Sequence, residues 1–564
     1  MDVNLRYLGR SGMIDSGAGR ILQMAPNLDR DEVAVDAPLK QPLRFREAIS
    51  ALHDIVINDL TFQPRDKTQY QEWRNAQFQR ENEIRRHASE EKAAEIERTG
   101  VQKPSESLKT DHQKALKRYW ASRRELNTWL RKNDHSLWRK LMPYDPVITV
   151  ADDVLMFECF SADESSYGCL SVDRDCFGSA TGIRNGTTNV DYSWDLYDNF
   201  QSLRTYRETR FNINPEGFNV RTEETADYHE EKIELPDGWL RGFMSLQSAM
   251  GLPMRRVPLS KGAVYSLLAY LKRHKAKTSP RGIRFELADG KAPRLVLEPW
   301  EREIESKGTV YNGPNDDPIR IWGRRRLLTL ARLLPLVERF DVYLLGTGLP
   351  SFWVAKMGNM RLTLGLSGWT ANDWTKGSAV QMLLPPQSPT DALIAETAKS
   401  LTDKRAVKLA DIAAGNGVSV SEMAGALNQL ALRGQAIYDL DADQFRWRQI
   451  LPIALSDREL GEPHPELVAA KQILVAGKIK IKSHDKSPRG GAIITATVER
   501  KDCEVLISDD GMIRRGKCYC SWHHKFGIRN GPCRHLQAIR DLHGLGNYDA
   551  SKDWYQKRLQ WAGR

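Results

Sequence analysis

Near its C-terminal end the 564-residue chain carries the stretch KCYCSWHHKFGIRNGPCRHLQAIRD, which sets Cys518, Cys520, Cys533 and His535 in a CxC-x12-CxH pattern. Three thiolates and one imidazole are the donors Zn2+ takes in closed tetrahedral sites, with Zn–S about 2.3 Å and Zn–N about 2.0 Å. All four corners are then filled by protein and none is left for a catalytic water. The spacing therefore predicts one structural Zn2+ rather than a Lewis acid. The adjacent His523 and His524 read as solvated loop residues, with a supporting group or an alternative ligand as the other reading.

The spacing also says which elements must present these donors. In an extended chain alternate side chains share a face, so Cys518 and Cys520 point together while Tyr519 points away. Pro532 fits the first turn of a helix, and Leu536, Ile539 and Leu542 give that helix an apolar side. Upstream, residues 492–500 and 504–508 read as strands, with Asp509, Asp510 and Gly511 as a turn.

Strand, zinc and helix in this order resemble a SWIM zinc finger, whose signature is CxC-x(n)-CxH on a β-β-α unit; Trp522 and Gly531-Pro532 are similar to bacterial members. That resemblance implies a module that binds DNA or proteins and does not itself catalyse. It extends upstream through FECFSADESSYGCLSVDRDCF, GTTNVDYSWDLYDNFQSLRTY, IRIWGRRRL, LLGTGLPSFW and LGLSGWTANDW, over roughly residues 145–540. Relatives of this group are associated with bacterial systems built from a MoxR-type AAA+ ATPase and von Willebrand factor A proteins, which become the implied protein partners. No catalytic residue is implied.

The formal charge is +10, and its position is more informative than its size. Residues 471–540 hold 15 Lys or Arg against 6 Asp or Glu, so nearly the whole excess surrounds the zinc pattern. Such a field attracts phosphate or an acidic partner, and equally serves as a solvated face. On this ground Arg514, Arg515, Lys517, Lys525, Arg529 and Arg534 are candidate nucleic-acid contacts. Of the 7 cysteines, four lie outside the motif without paired spacing, which suits a reducing cytoplasm rather than a disulfide scaffold. The N-terminus lacks the apolar core of a signal peptide, and no apolar run approaches the roughly 18–20 residues of a membrane span.

The remaining chain reads as an α+β multidomain protein. Residues 1–40 lack periodicity and suggest a flexible arm. Residues 41–145 read as helical, with a short helix carrying Phe45, Ile49, Leu52 and Val56 at helical spacing, then a charged hairpin whose arms span 66–97 and 108–132. Residues 146–384 alternate β-like runs with helices: Leu246, Met250, Val264, Leu267, Leu268 and Leu271 fall at core spacing, and a helix over 324–339 is expected to kink at Pro335. Asp163, Glu164 and Asp191 occupy loops between strands and assemble no convincing catalytic set. Gly346-Thr347-Gly348 lacks the third glycine and the helix of a nucleotide fingerprint. Arg324-Arg325-Arg326 reads as a solvated or salt-bridged face, and Cys159, Cys169 and Cys176 as buried thiols.

After a PPQSP linker, residues 390–452 resemble a winged helix. Helices at 391–401 and 407–414, a Gly415-Asn416-Gly417 turn and a third helix capped by Ser419 precede a hairpin across Asp441-Ala442-Asp443. Were it to read DNA, Ser421, Asn428, Gln429 and Arg433 would face the groove and Arg446 or Arg448 would reach phosphate. The zinc module spans 465–545 and a tail 546–564. The expectation is a non-enzymatic, cytoplasmic, zinc-binding adaptor docking partner proteins, nucleic acid or both. A sequence-specific DNA-binding regulator is the alternative, and a transposase- or nuclease-like enzyme a more distant one.

Overall fold

The computed structural model describes residues 11–16, 19–27, 30, 32–57, 91, 106–133, 146–161, 163–190, 192, 194–206, 208–214, 237–278, 280–313, 315, 318–345, 350–367, 374, 389–450, 464–487, 491–507, 513–528 and 531–546. Two compact units divide the chain, residues 59–142 and all the rest. Within the former, the helix Glu106–Asn133 coincides with the expected second hairpin arm. Apart from residue 91 the first arm at 66–97 lies outside the described residues, as do the turn at 509–511 and Gly346-Thr347-Gly348.

The larger unit is α+β. Its centre is an eight-stranded antiparallel sheet in the spatial order Arg255–Ser260, Arg339–Leu344, Ser351–Met357, Met360–Leu366, Ser166–Asp173, Val154–Phe160, Val147–Val150, Gly186–Asn189. The order is nearly two-fold. One meander (147–173) and another (339–366) meet through their last strands, where Met360 pairs with Val172 and Leu366 with Ser166. These central strands are buried on both faces, so they read as continuous apolar runs instead of alternating ones. The helix Pro42–Val56 lies over them, closely enough that a Cβ on Gly168 would come 2.7 Å from Leu52 Cδ1. Phe160 meets Phe243 of the helix Asp237–Gly251 at a ring separation of 4.8 Å.

Residues 12–38 depart from the expected arm. Gly12–Ser16, Gly19–Met24 and Ala34–Pro38 join Thr209–Ile213 and Thr181–Arg184 in a five-stranded sheet, with Leu22, Val33 and Val35 buried. Gly12–Ser16 pairs locally with Gly19–Met24, but Gly19–Met24 and Ala34–Pro38 both pair with Thr209–Ile213, far along the chain, and no local periodicity announces that.

The helix expected over 324–339 is a 3-10 helix, Arg324–Leu333, ending before Pro335. A 3-10 helix has about three residues per turn, and Leu327, Leu330 and Leu333 repeat at that interval and are all fully buried. The triple arginine is divided accordingly. Arg324 is buried and donates to the Gly282 carbonyl at 3.1 Å, while Arg326 pairs with Asp163 at 3.1 Å and Arg325 is exposed. Asp163 also accepts from Ser161 at 2.7 Å, which places it in a loop-fixing network. Cys159, Cys169 and Cys176 are buried.

Residues 391–447 form the helices Asp391–Lys404, Leu409–Gly415 and Val420–Leu432 and a three-stranded sheet in the order Ala406–Val407, Gln444–Trp447, Ala436–Asp439. Ser419 and Glu422 close a reciprocal capping box on the third helix. This segment shares one hydrophobic core with the central sheet, while the zinc pattern sits in a second core of its own.

Candidate metal centre

The second core is built on a four-stranded antiparallel sheet, Ile479–Lys486, Ala492–Val498, Lys501–Ile507, Ile513–Cys518. Its inner face follows strict alternation: Ala492, Ile494, Ala496 and Val498 are buried, then Cys503, Val505 and Ile507. The helix Arg534–Gly546 lies on this face through Leu536 and Ile539, both fully buried. Gly516 lets it approach, since a Cβ there would stand 2.5 Å from Leu536 Cδ1.

Cys518 closes the last strand, Cys520 caps the short helix Ser521–Phe526, and Cys533 immediately precedes Arg534–Gly546 with His535 in its first turn. One donor atom from each of Cys518, Cys520, Cys533 and His535 lies within 4.8 Å of every other. All four residues are buried, at 6%, 6%, 0% and 4% exposure. The Cys518 Sγ to His535 Nδ1 distance is 3.5 Å, so Nδ1 is the nitrogen turned toward the sulfurs.

The opposite ring nitrogen is also placed. His535 Nε2 is 3.7 Å from Glu499 Oε2. Glu499 and Arg500 form the two-residue turn between paired Val498 and Lys501, both at positive φ (46° and 67°), as a primed hairpin turn requires. A carboxylate behind the second nitrogen fixes a ligating histidine's tautomer and ring orientation.

Backbone N–H groups face the sulfurs. Cys520 Sγ accepts from the His523 amide at 3.3 Å, Cys518 Sγ accepts from the Cys520 amide, and Cys533 Sγ from the Leu536 amide. Thiol hydrogen bonds couple the cluster. Donation from Cys503, then from Cys533, holds Cys518 far below an ordinary thiol, and the same bonds push Cys503 and Cys533 up. Burial raises Cys520. A divalent cation would displace these shared protons, the usual exchange at thiolate sites. Donor chemistry, amide dipoles and the carboxylate-backed histidine fit a zinc ion. His523 and His524 stand outside the four-donor cluster: His524 is exposed, and His523 contributes its backbone amide.

The helix Pro465–Val475 packs beside Arg534–Gly546 and supplies Glu466, which sequence reading missed. Its carboxylate accepts from the Arg534 backbone amide at 2.7 Å and from Arg534 Nε at 3.1 Å, capping the helix that carries His535. Burial acts to raise the Glu466 carboxyl, yet the Arg534 bonds outweigh it and leave it below its ordinary value. Cys503 was likewise missed as a neighbour of the site. Its Sγ lies 3.6 Å from Cys518 Sγ.

The candidate nucleic-acid contacts are dispersed. Arg515, Lys517 and Lys525 are exposed and Arg514 half-buried. Lys517 stands 3.9 Å from Glu504, and Arg534 is engaged with Glu466. Arg529 lies outside the described residues. Arg433 is half-buried at the end of Val420–Leu432. Three of the winged-helix candidates are buried. Asn428 is 2% exposed and accepts from Ser248 at 3.3 Å, because the third helix packs against Asp237–Gly251. Arg446 is 3% exposed and holds Asp153 through two bonds of 2.7 Å. Arg448, the other phosphate candidate, is fully buried against Glu158, with Nε to Oε2 at 3.0 Å.

No family model matches the chain, and no curated protein matches it. Among solved structures, proliferating cellular nuclear antigen from Entamoeba histolytica aligns over 40% of this chain and 89% of its own, at 13% identity and a TM-score of 0.26. Among the described residues no helix is long and apolar enough to cross a membrane.

Proposed function

We propose that residues 465–545 are a SWIM-type zinc finger holding one structural Zn2+ through Cys518, Cys520, Cys533 and His535, and that the chain is a non-enzymatic adaptor. The carrying observation is the set of four buried donors within 4.8 Å of one another, three of them sulfur. Bound there, zinc supplies a cross-link between the sheet's end and the helix that closes the module. Protein docking is favoured over DNA reading by the winged-helix-like segment, because Asn428, Arg446 and Arg448 are committed to internal partners. The partners that fit the resemblance are a MoxR-type AAA+ ATPase and von Willebrand factor A proteins.

The test has two parts. Metal analysis of the purified chain should give one zinc per molecule, lost in Cys518→Ser. Binding to unrelated duplex and single-stranded DNA is then measured across a salt series. Weak binding, with capture of an AAA+ or von Willebrand factor A partner that fails in Cys518→Ser, supports the adaptor. Tight, salt-steep DNA binding lost in the same variant replaces it with a nucleic-acid module. A chain without zinc overturns both.

A further inference from the structure

We propose that Cys503 and Cys518 are a thiol pair for oxidation by a hydroperoxide, and that the disulfide they form expels the metal. The inference rests on the zinc reading of the same centre and adds a modification site to it. Cys503 and Cys518 are register partners on adjacent antiparallel strands. Directly opposed residues in such strands have Cα atoms about 4.5–5.5 Å apart, inside the roughly 4.4–6.8 Å that a disulfide spans. Both side chains belong to the inner face, at 4% and 6% exposure, with Sγ atoms 3.6 Å apart.

The pairing is particular to this place. Cys159 and Cys176 face the backbone carbonyls of Leu52 and Asn359, and Cys169 faces the Ser171 hydroxyl. Cys503 instead donates to a sulfur that is itself a zinc ligand. A buried cysteine on an apolar face ordinarily behaves as a small hydrophobe. Beside a thiolate it becomes a resolving thiol.

The chemistry balances in two steps. The Cys518 thiolate attacks one peroxide oxygen, the O–O bond breaks, and Cys518 becomes a sulfenic acid while hydroxide leaves. The Cys503 sulfur then attacks the Cys518 sulfur. The S–O bond breaks, the S–S bond forms, and the departing hydroxyl takes the Cys503 proton and leaves as water; the hydroxide from the first step takes a proton from solvent. One thiolate and one thiol are oxidised to the disulfide, and one peroxide plus that solvent proton gives two waters. Only Cys520, Cys533 and His535 then remain for the metal, and zinc leaves.

The experiment uses the full-length, zinc-loaded protein treated with graded hydrogen peroxide. Released zinc is read with a chromogenic chelator, and the quenched protein is mapped after digestion with trypsin and chymotrypsin. Cleavage after Lys501, Arg514, Lys517 and Tyr519 separates Cys503, Cys518 and Cys520 into different peptides. A Cys503–Cys518 linkage accumulating in step with zinc release is expected. Cys503→Ala should begin with the same zinc content, form no such linkage and release zinc several-fold more slowly. If Cys503→Ala loses zinc beforehand, Cys503→Ser takes its place. A linkage confined to Cys518, Cys520 and Cys533, or equal zinc release from the variant, overturns the proposal. Absence of zinc before any peroxide overturns the metal reading instead.

Discussion

Cys518 has two kinds of neighbour, the donors that would share a metal with it and the groups that hold those donors in place. Glu499 belongs to the second kind. Removing the carboxylate behind a ligating histidine lowers metal affinity roughly 10- to 100-fold, so Glu499→Ala should weaken zinc binding by that factor in a chelator competition while stoichiometry at saturation stays at one. His535→Ala should lose the metal outright and melt the small core, because binding energy in such a site is folding energy. Thermal denaturation with and without added zinc separates the two variants. Glu466 provides a proton-linked test. Its carboxyl sits below its ordinary value in the folded chain, so its contribution is present above the ordinary carboxylate range and fades as pH falls through the lower folded value. Glu466→Gln should therefore destabilise the protein at neutral pH, and the gap to wild type should close in acid. Zinc-ligand protonation is common to both chains and cancels in the difference.

At the scale of elements, the junction between the hairpin Ala436–Trp447 and the central sheet is carried by arginines. Arg448 and Glu158 are both fully buried, and Tyr167 Oη donates to the same carboxylate at 2.6 Å. Breaking a buried pair from one side costs about 3–5 kcal/mol, since the partner's charge is left uncompensated. Arg448→Met should lower the unfolding free energy by that order, and adding Glu158→Leu should recover part of it in urea titrations. A hairpin after three helices suggests exposed arginines, but Asp153 and Glu158 lie 293 and 290 positions upstream, and no local pattern relates them. The four-donor cluster was legible for the opposite reason, since Cys518, Cys520, Cys533 and His535 all fall within eighteen residues and their donor chemistry is specific. Cys503 lay between these cases. Its signal was the register across one hairpin, visible only once that hairpin is aligned residue by residue.

At the scale of the molecule, the basic excess around the metal module is interleaved with acids. Lys482 bonds Asp502 at 2.5 Å, Lys478 bonds Glu499 at 3.1 Å, and Lys517 faces Glu504. Paired surface charges contribute little net attraction to phosphate. Arg515→Ala with Lys517→Ala should accordingly leave zinc content unchanged and alter the salt slope of DNA binding by no more than about two contacts' worth. A larger loss in a fluorescence titration would locate a nucleic-acid surface there.

The near two-fold sheet has a consequence for how the chain is made. Its two meanders meet where Arg361 bonds Asp173, 188 positions apart. On a ribosome adding about 5–20 residues per second, the strand Ser166–Asp173 therefore emerges roughly 10–40 s before its central partner. During that interval an apolar strand edge stays unpaired, a template for pairing with other chains. The nascent polypeptide should engage holdase chaperones until residue 366 clears the exit tunnel.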